Sequence, residues 1–195
     1  MQPFIEPPKK IPLFLRLAIR IAENKTKKKM LPARILAWLP KAAVGSGVLE
    51  ALIAHKEKGL SKRFLKLIRM QVSFYASCPF CIDLNSFEFE KYNITDEEIE
   101  ALQGKRKLNS VNSFSRNEIT TMEYVRQVIN TPIRIKESTV GEMKEAFTNR
   151  QFVVICTTIA QVNYWARLVQ SLGIPPAGFS ESCSILEIEK YRTVE

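Results

Sequence analysis

Residues Leu67 to Leu102 read LIRMQVSFYASCPFCIDLNSFEFEKYNITDEEIEAL. The first ten belong to a longer stretch, Ser61 to Ala76, whose apolar residues recur at three- and four-residue intervals and therefore predict a helix. Cys78-Pro79-Phe80-Cys81 follows, a spacing that brings two thiols within disulfide reach when they share the first turn of a helix. Thr95 with Glu98 then has the spacing of a capping box and starts another short helix. Outward from this stretch the same signals repeat. Ser115 with Glu118, Thr139 with Glu142 and Thr148 with Gln151 each predict a helix start, and Gly173 before Pro175 and Pro176 predicts a stop. Upstream, Leu13 to Glu23, Ala33 to Leu39 and Ser46 to Lys56 read as helices separated by Pro32, Pro40 and Gly59. No period-2 strand pattern interrupts them, so the fold class is all-α, a compact helical bundle with the CxxC at a helix N-terminus. Lys105 to Ser113 (KRKLNSVNS) reads as an exposed connection between two helical halves, neither of which looks independent.

The composition fits one such domain. The chain has 195 residues, 46% apolar and 25% charged, with 4 Cys. A chain of this length buries about 70% of its unfolded surface, and the cysteines are too sparse for a disulfide scaffold. Disordered and collagen-like compositions are excluded on the same figures. The net charge of +9 points to nucleic acid only until it is located. Residues 1–30 hold eight Lys and Arg against two Glu, so six of the nine excess charges lie there. The expected organisation is a basic amphipathic leader over 1–30 and a single helical domain over 31–195. No zinc-finger, RNP or helix-turn-helix pattern accompanies the charge, and nucleic acid is not an expected partner. Arg16 and Arg20 interrupt the apolar stretch Pro12 to Ala22, which excludes a signal peptide. The longest uncharged run, Gln151 to Ala166, is short for a bilayer span, so no transmembrane segment and a cytoplasmic location are expected. The leader's stripe of Leu13, Leu17 and Ile21 is read as docking, on the chain's own core or on a second subunit, in preference to an anionic membrane.

The CxxC is the one local arrangement with a mechanism attached. Unpaired N–H groups at a helix start stabilise a thiolate, which is the nucleophilic form. Redox thiols compete with half a zinc site, with two inert buried thiols and with coincidence. Zinc lacks ligands, because Cys156 and Cys183 lie singly and His55 is the only histidine; no metal and no cofactor are expected. A thioredoxin reading requires strands around the motif, and these are missing. Among neighbours, helix geometry sets Cys81, Asn85 and Glu88 on one face and Asp83 off it, although Glu88 and Glu90 also read as solvated charges. Tyr75 is a candidate hydrogen-bond donor to the thiols, or a core aromatic. His55 reads as a surface or capping residue and Cys156 as a buried small hydrophobe. Cys183 reads as an exposed cysteine or a resolving thiol, and Trp38 and Trp165 as core or interface.

Leu67 to Leu102 resembles the core of the carboxymuconolactone decarboxylase, or alkyl hydroperoxidase D-like, superfamily. The likeness continues through Phe114 to Val128 (FSRNEITTMEYVRQV) and through Phe147 to Phe179, where Asn163, Tyr164 and Arg167 match an Asn-aromatic-x-x-Arg element. It covers roughly residues 45–183. The resemblance implies an all-helical fold, a homo-oligomer, and catalytic Cys78 and Cys81 that reduce a peroxide or a disulfide and are restored by an external thiol reductant. It also implies a Glu twelve residues before the first cysteine and a His four after the second, forming a proton relay. This chain has Lys66 and Asn85 there. Asn carries no proton titrating near neutrality and cannot act as the base, whereas Lys66 is a candidate for stabilising a thiolate by charge. The alternative is a family member that has lost catalysis and serves as an interaction scaffold. Lactone ring-opening or decarboxylation would need an acid–base set that these two substitutions leave unfilled.

Overall fold

The computed structural model describes residues 2–52 and 57–180. Nine α-helices occur among them: α1 Leu13–Thr26, α2 Leu31–Leu36, α3 Pro40–Leu52, α4 Lys62–Tyr75, α5 Pro79–Ser86, α6 Asp96–Leu102, α7 Arg116–Ile129, α8 Glu137–Ala146 and α9 Asn149–Ser171. Two short 3-10 turns, Phe89–Tyr92 and Leu108–Ser110, join them, and no strand forms among the described residues.

The centre is α4, which buries nine of its residues and packs against α9, α7 and α5. Leu65, Leu67, Ile68 and Met70 of α4 meet Met122 and Val125 of α7, Met143 of α8, and Ile155, Ile159 and Val162 of α9 in one core. A second apolar cluster lies at the other end of α9. There Ala166 and Val169 join Ile35 of α2, Phe80, Ile174, Phe179 and both CxxC cysteines. By length and composition α9 could cross a membrane; here it is the long helix shared by both clusters.

Three of the four expected capping boxes form as read, at Thr95 and Glu98, Ser115 and Glu118, and Thr148 and Gln151. The fourth does not. The α8 helix starts at Glu137, and Thr139 lies inside it accepting from Gln127 Nε2 of α7 at 3.0 Å. Pro40 also differs from the expected break, because it opens α3, where a missing N–H costs nothing. The Lys105 to Ser113 connection is pinned from within, since Leu108 and Val111 are buried.

The leader helix α1 docks on its own fold, by a face other than the one expected. Leu15 and Ile19 are buried, whereas Leu13, Leu17 and Ile21 are 60% or more exposed. Glu23 clamps the helix by a bidentate pair to Arg34 of α2 at 2.6 Å and by the Met30 N–H. The Arg34 hydrogen bond holds the Glu23 carboxyl below its ordinary range. At the far end Phe4 donates its N–H to Leu172 O, and its ring covers Gly173. That glycine has φ +64°, and a Cβ there would meet the ring at 2.6 Å, so only glycine fits.

Candidate functional site

The site is made where α4 stops. After Tyr75 the chain reverses through Ser77 at φ +46°, and the Cys78 N–H bonds back to Ser73 O at 3.2 Å. Cys78 becomes the N-cap of α5, its Sγ accepting from the Cys81 N–H at 3.2 Å. Pro79 occupies the next position, where no N–H is required. Cys78 and Cys81 are joined as a disulfide, with Cα atoms 5.2 Å apart. The first turn of α5 thus does what the spacing predicts: it holds two sulfurs together and aims a main-chain donor at one of them.

The surroundings differ from the open site that a reactive thiolate leads one to expect. Cys78 is 0% and Cys81 2% exposed. Their cluster is Ile35, Phe80, Ala166, Val169, Ile174 and Phe179, with Met30, Leu31, Leu84, Trp165 and Leu172 at its margin. None of these side chains carries a proton that titrates near neutrality. For the reduced pair two influences therefore oppose: the α5 N–H groups favour a thiolate, and the apolar enclosure disfavours charge.

The supporting residues named from the sequence are dispersed. Lys66 donates from Nζ to Phe87 O at 2.7 Å and lies over the Tyr92 ring at 5.3 Å. Phe87 is the C-cap of α5, so Lys66 sits at the opposite end of that helix from Cys78, about 13 Å away along the axis. It neutralises helix C-terminal carbonyl charge there and does not flank the Cys78 sulfur. Burial, and then Arg69, lower its pKa to about 8, against the raising effect of Glu88 and Glu90. Asn85 donates from Nδ2 to Ser73 Oγ at 3.0 Å, and that hydroxyl donates on to Arg69 O. Where the resemblance implies a base, a structural tie joins α5 to α4. Glu88 leaves the expected face altogether, because α5 ends at Ser86 and Glu88 adopts φ +55°, paired with Lys91 at 2.6 Å. Tyr75 packs with the first core rather than the cysteine cluster, its ring 5.3 Å from the Arg126 guanidinium.

Sequence reasoning placed Asp83 off the reactive face and gave it no role. The structure gives it one. Fully buried two residues after Cys81, it accepts the Ala177 and Gly178 N–H groups at Oδ2 and the Ser180 N–H at Oδ1, all at 2.8 Å. No local signal could have revealed this, because the partners lie more than ninety residues away. Elsewhere, Cys156 is half-buried rather than enclosed, 3.5 Å from the Tyr124 hydroxyl. Trp38 is 63% exposed and Trp165 donates to Glu50 at 3.1 Å. Asn163, Tyr164 and Arg167 line an open groove along α9, and Tyr164 is tied to Ser46 of α3 at 2.7 Å. Among the described residues no three His, Cys, Asp or Glu side chains gather as a metal site. His55 and Cys183 lie outside the described residues.

Comparison with known proteins bears on the fold. No family model matches the chain. The uncharacterised protein YdfG of Bacillus subtilis (strain 168) is 24% identical over 119 residues, 60% of this chain and 79% of that one. Among solved structures, a peroxidase-related protein of Ralstonia eutropha JMP134 described as an alkylhydroperoxidase AhpD core superposes with a TM-score of 0.73, at 15% identity over 94% of each chain. A peroxidase-related protein of Silicibacter sp. TM1040 gives 0.74 at 13% identity, also over 94% of each chain. A cysteine-to-alanine variant of the debrominase Bmp8, in complex with 2,3,4-tribromopyrrole, gives 0.75 at 14% identity over 98% of each chain. The chain has the AhpD-like fold.

Proposed function

We propose that this AhpD-like chain is a thiol-dependent oxidoreductase in which Cys78 and Cys81 cycle between dithiol and disulfide. The observation that carries the reading is the N-cap geometry, with Cys78 Sγ accepting the Cys81 N–H at 3.2 Å and the two Cα atoms 5.2 Å apart. Cys78 is accordingly the attacking thiolate and Cys81 the resolving thiol. With a hydroperoxide, the Cys78 thiolate attacks the terminal oxygen and the O–O bond breaks; the hydroxyl stays on sulfur as a sulfenic acid, and the other oxygen leaves as an alcohol, taking from solvent the proton that the thiol released on ionising. The Cys81 thiol then attacks the sulfenic sulfur, water departs, and the disulfide closes. An external dithiol returns two electrons and two protons and is itself oxidised to a disulfide. With a disulfide substrate the first step is a mixed disulfide, which Cys81 resolves. The cycle suits the cytoplasm, where thiol reductants are maintained. The fold alone does not choose the substrate, since one structure sharing it is a debrominase.

The assembly we propose is a homo-oligomer. Leu13, Phe14, Leu17 and Ile21 form an exposed apolar face on α1, and Phe14 adjoins Val44 of α3 across a shallow cleft. Large apolar side chains gathered on one exposed helix face mark the kind of surface that partners cover.

A second reading has its own support: an interaction scaffold that has lost catalysis. Both cysteines are buried, and Lys66 and Asn85 are committed to α5 and α4 rather than to the sulfurs. Thiol titration separates the two. The redox reading expects one cysteine of the reduced protein to alkylate with an apparent pKa below about 7.5 and to lose this in Cys78→Ser, while the scaffold expects two slow thiols at about 8.5 or above.

A further inference from the structure

Cys78 and Cys81 are 0% and 2% exposed, and among the described residues that enclose them one element differs from the rest in how it is held. Ile35, Ala166 and Val169 belong to helices. Ile174 and Phe179 belong to an extended segment, residues 174–180, that follows the Gly173 turn and has no regular secondary structure. Its Pro175 and Pro176 have no N–H to donate. The N–H groups of Ala177, Gly178 and Ser180 go to the Asp83 carboxylate, and none of the three bonds a main-chain carbonyl among the described residues. Beyond these, Phe179 inserts its ring, 4% exposed, edge-on to Phe80 at 6.2 Å and to Phe87 at 6.3 Å. The segment thus has no backbone ladder beyond its first residue, where the Ile174 N–H bonds Val169 O at 2.9 Å and the side chain is buried; past that point one carboxylate and one aromatic ring hold it.

We infer that residues 174–180 are a gate over the Cys78/Cys81 pair, and that Asp83 is the positioning residue that latches it and so decides which reactants reach the sulfurs. Attack on a sulfur requires approach along its bond axis, and residues 0% and 2% exposed offer almost none. Turnover therefore needs an opening motion. Of the enclosing elements this one lies outside the helices, so it can open without unwinding one, and local opening follows the local density of contacts and protected hydrogen bonds. Asp83 is suited to the latch because a buried carboxylate has its charge met by three N–H donors when the gate is shut. It sits two residues from Cys81, so latch and sulfur move as one helix. A small hydroperoxide then needs only a partial opening, whereas a protein-sized disulfide needs the segment lifted away. The inference rests on the thiol pair being the reacting group, but access and redox activity are read by different measurements.

The test uses the full chain, reduced, with iodoacetamide as the small probe and a polyethylene glycol maleimide as the bulky one. Asp83→Asn keeps the shape but leaves one oxygen to accept and turns an NH2 toward backbone donors. Phe179→Ala removes the ring and leaves the latch. Both variants are expected to alkylate at least tenfold faster than wild type, with the larger gain for the bulky probe, while an exposed-acid control, Asp96→Asn, leaves both rates unchanged. Hydrogen exchange on the unmutated protein supplies a reading independent of any folding defect. The Ala177, Gly178 and Ser180 amides are expected to exchange through an opening at least a hundredfold more frequent than global unfolding, and at the frequency that limits alkylation. Exchange of those amides only through global unfolding overturns the gate, as do unchanged alkylation rates in folded Asp83→Asn and Phe179→Ala. If the gate results hold and no peroxide or disulfide is consumed, the redox reading falls and the gate stands.

Discussion

Lys66, Asn85, Asp83 and Glu88 are four polar residues on or beside α5 and its C-terminal end, and each is explained by the group it touches. Lys66 meets a helix C-terminal carbonyl, Asn85 a serine hydroxyl, Asp83 three amides and Glu88 a lysine. None is left over to serve as a base. The pKa of Lys66, lowered from 10.5 to about 8 by burial and by Arg69, has a measurable consequence. Between those two values the unfolded chain holds a proton on this amine that the folded chain has released, so stability rises with pH across the window. Denaturant unfolding of wild type and Lys66→Met from pH 7.5 to 10.5 is expected to show that added slope in wild type and its loss in the variant; parallel curves would refute the burial. Arg63 gives the opposite case. It bonds Glu98 at 2.6 Å and Glu118 at 3.1 Å, and Glu98 is wholly buried. Burial alone would raise the Glu98 carboxyl, but Arg63, Ser113 and the Thr95 N–H hold it below the ordinary range. Its stabilisation is present above the unfolded pKa of about 4.3 and fades as pH falls through the folded value. Arg63→Met should cost about 3–5 kcal/mol near neutrality, because it strands a buried charge, and calorimetry should show the loss shrinking in acid.

At the scale of elements, what could be read from the sequence is what the chain decides within three or four residues. The Thr95, Ser115 and Thr148 boxes close locally, and all three formed. Thr139 has the same pattern and did not cap, because Gln127 on a neighbouring helix holds it in the interior of α8. The CxxC turn was legible for the same local reason. The end of α5 was not, since no glycine or proline marks Ser86; the chain leaves the helix through Phe87 at ψ 126°, with Glu88 at φ +55° after it. Asp83 was illegible in principle: periodicity gives the face a side chain occupies, not the distant strand of chain that lies against that face. The leader shows the same limit. Its amphipathic period is evident, yet Leu15 and Ile19 face the fold while the longer stripe of Leu13, Leu17 and Ile21 faces out. If that stripe joins subunits, light scattering should give an oligomer for wild type and a monomer mass for Leu17→Glu combined with Ile21→Glu. A wild-type monomer at micromolar concentration would remove the proposed assembly.

For the whole molecule, one long helix serves two apolar clusters, the main core and the smaller cluster around the cysteines. The arrangement separates stability from chemistry. Ile159, 1% exposed in the core, should cost about 2–5 kcal/mol as Ile159→Ala while leaving the alkylation rate of the folded protein unchanged. Apolar side chains enclose the Cys78–Cys81 disulfide, and the proposed gate is the segment that would have to open before it reacts. The most direct test of the redox reading is equilibration of the native protein across graded ratios of reduced to oxidised dithiothreitol and then glutathione, with acid trapping, alkylation and intact-mass readout. The account predicts a reversible transition of two electrons between a doubly alkylated and an unalkylated CxxC, absent in Cys78→Ser and in Cys81→Ser. A pair that stays reduced throughout, or a disulfide that no dithiol opens without denaturant, would contradict it.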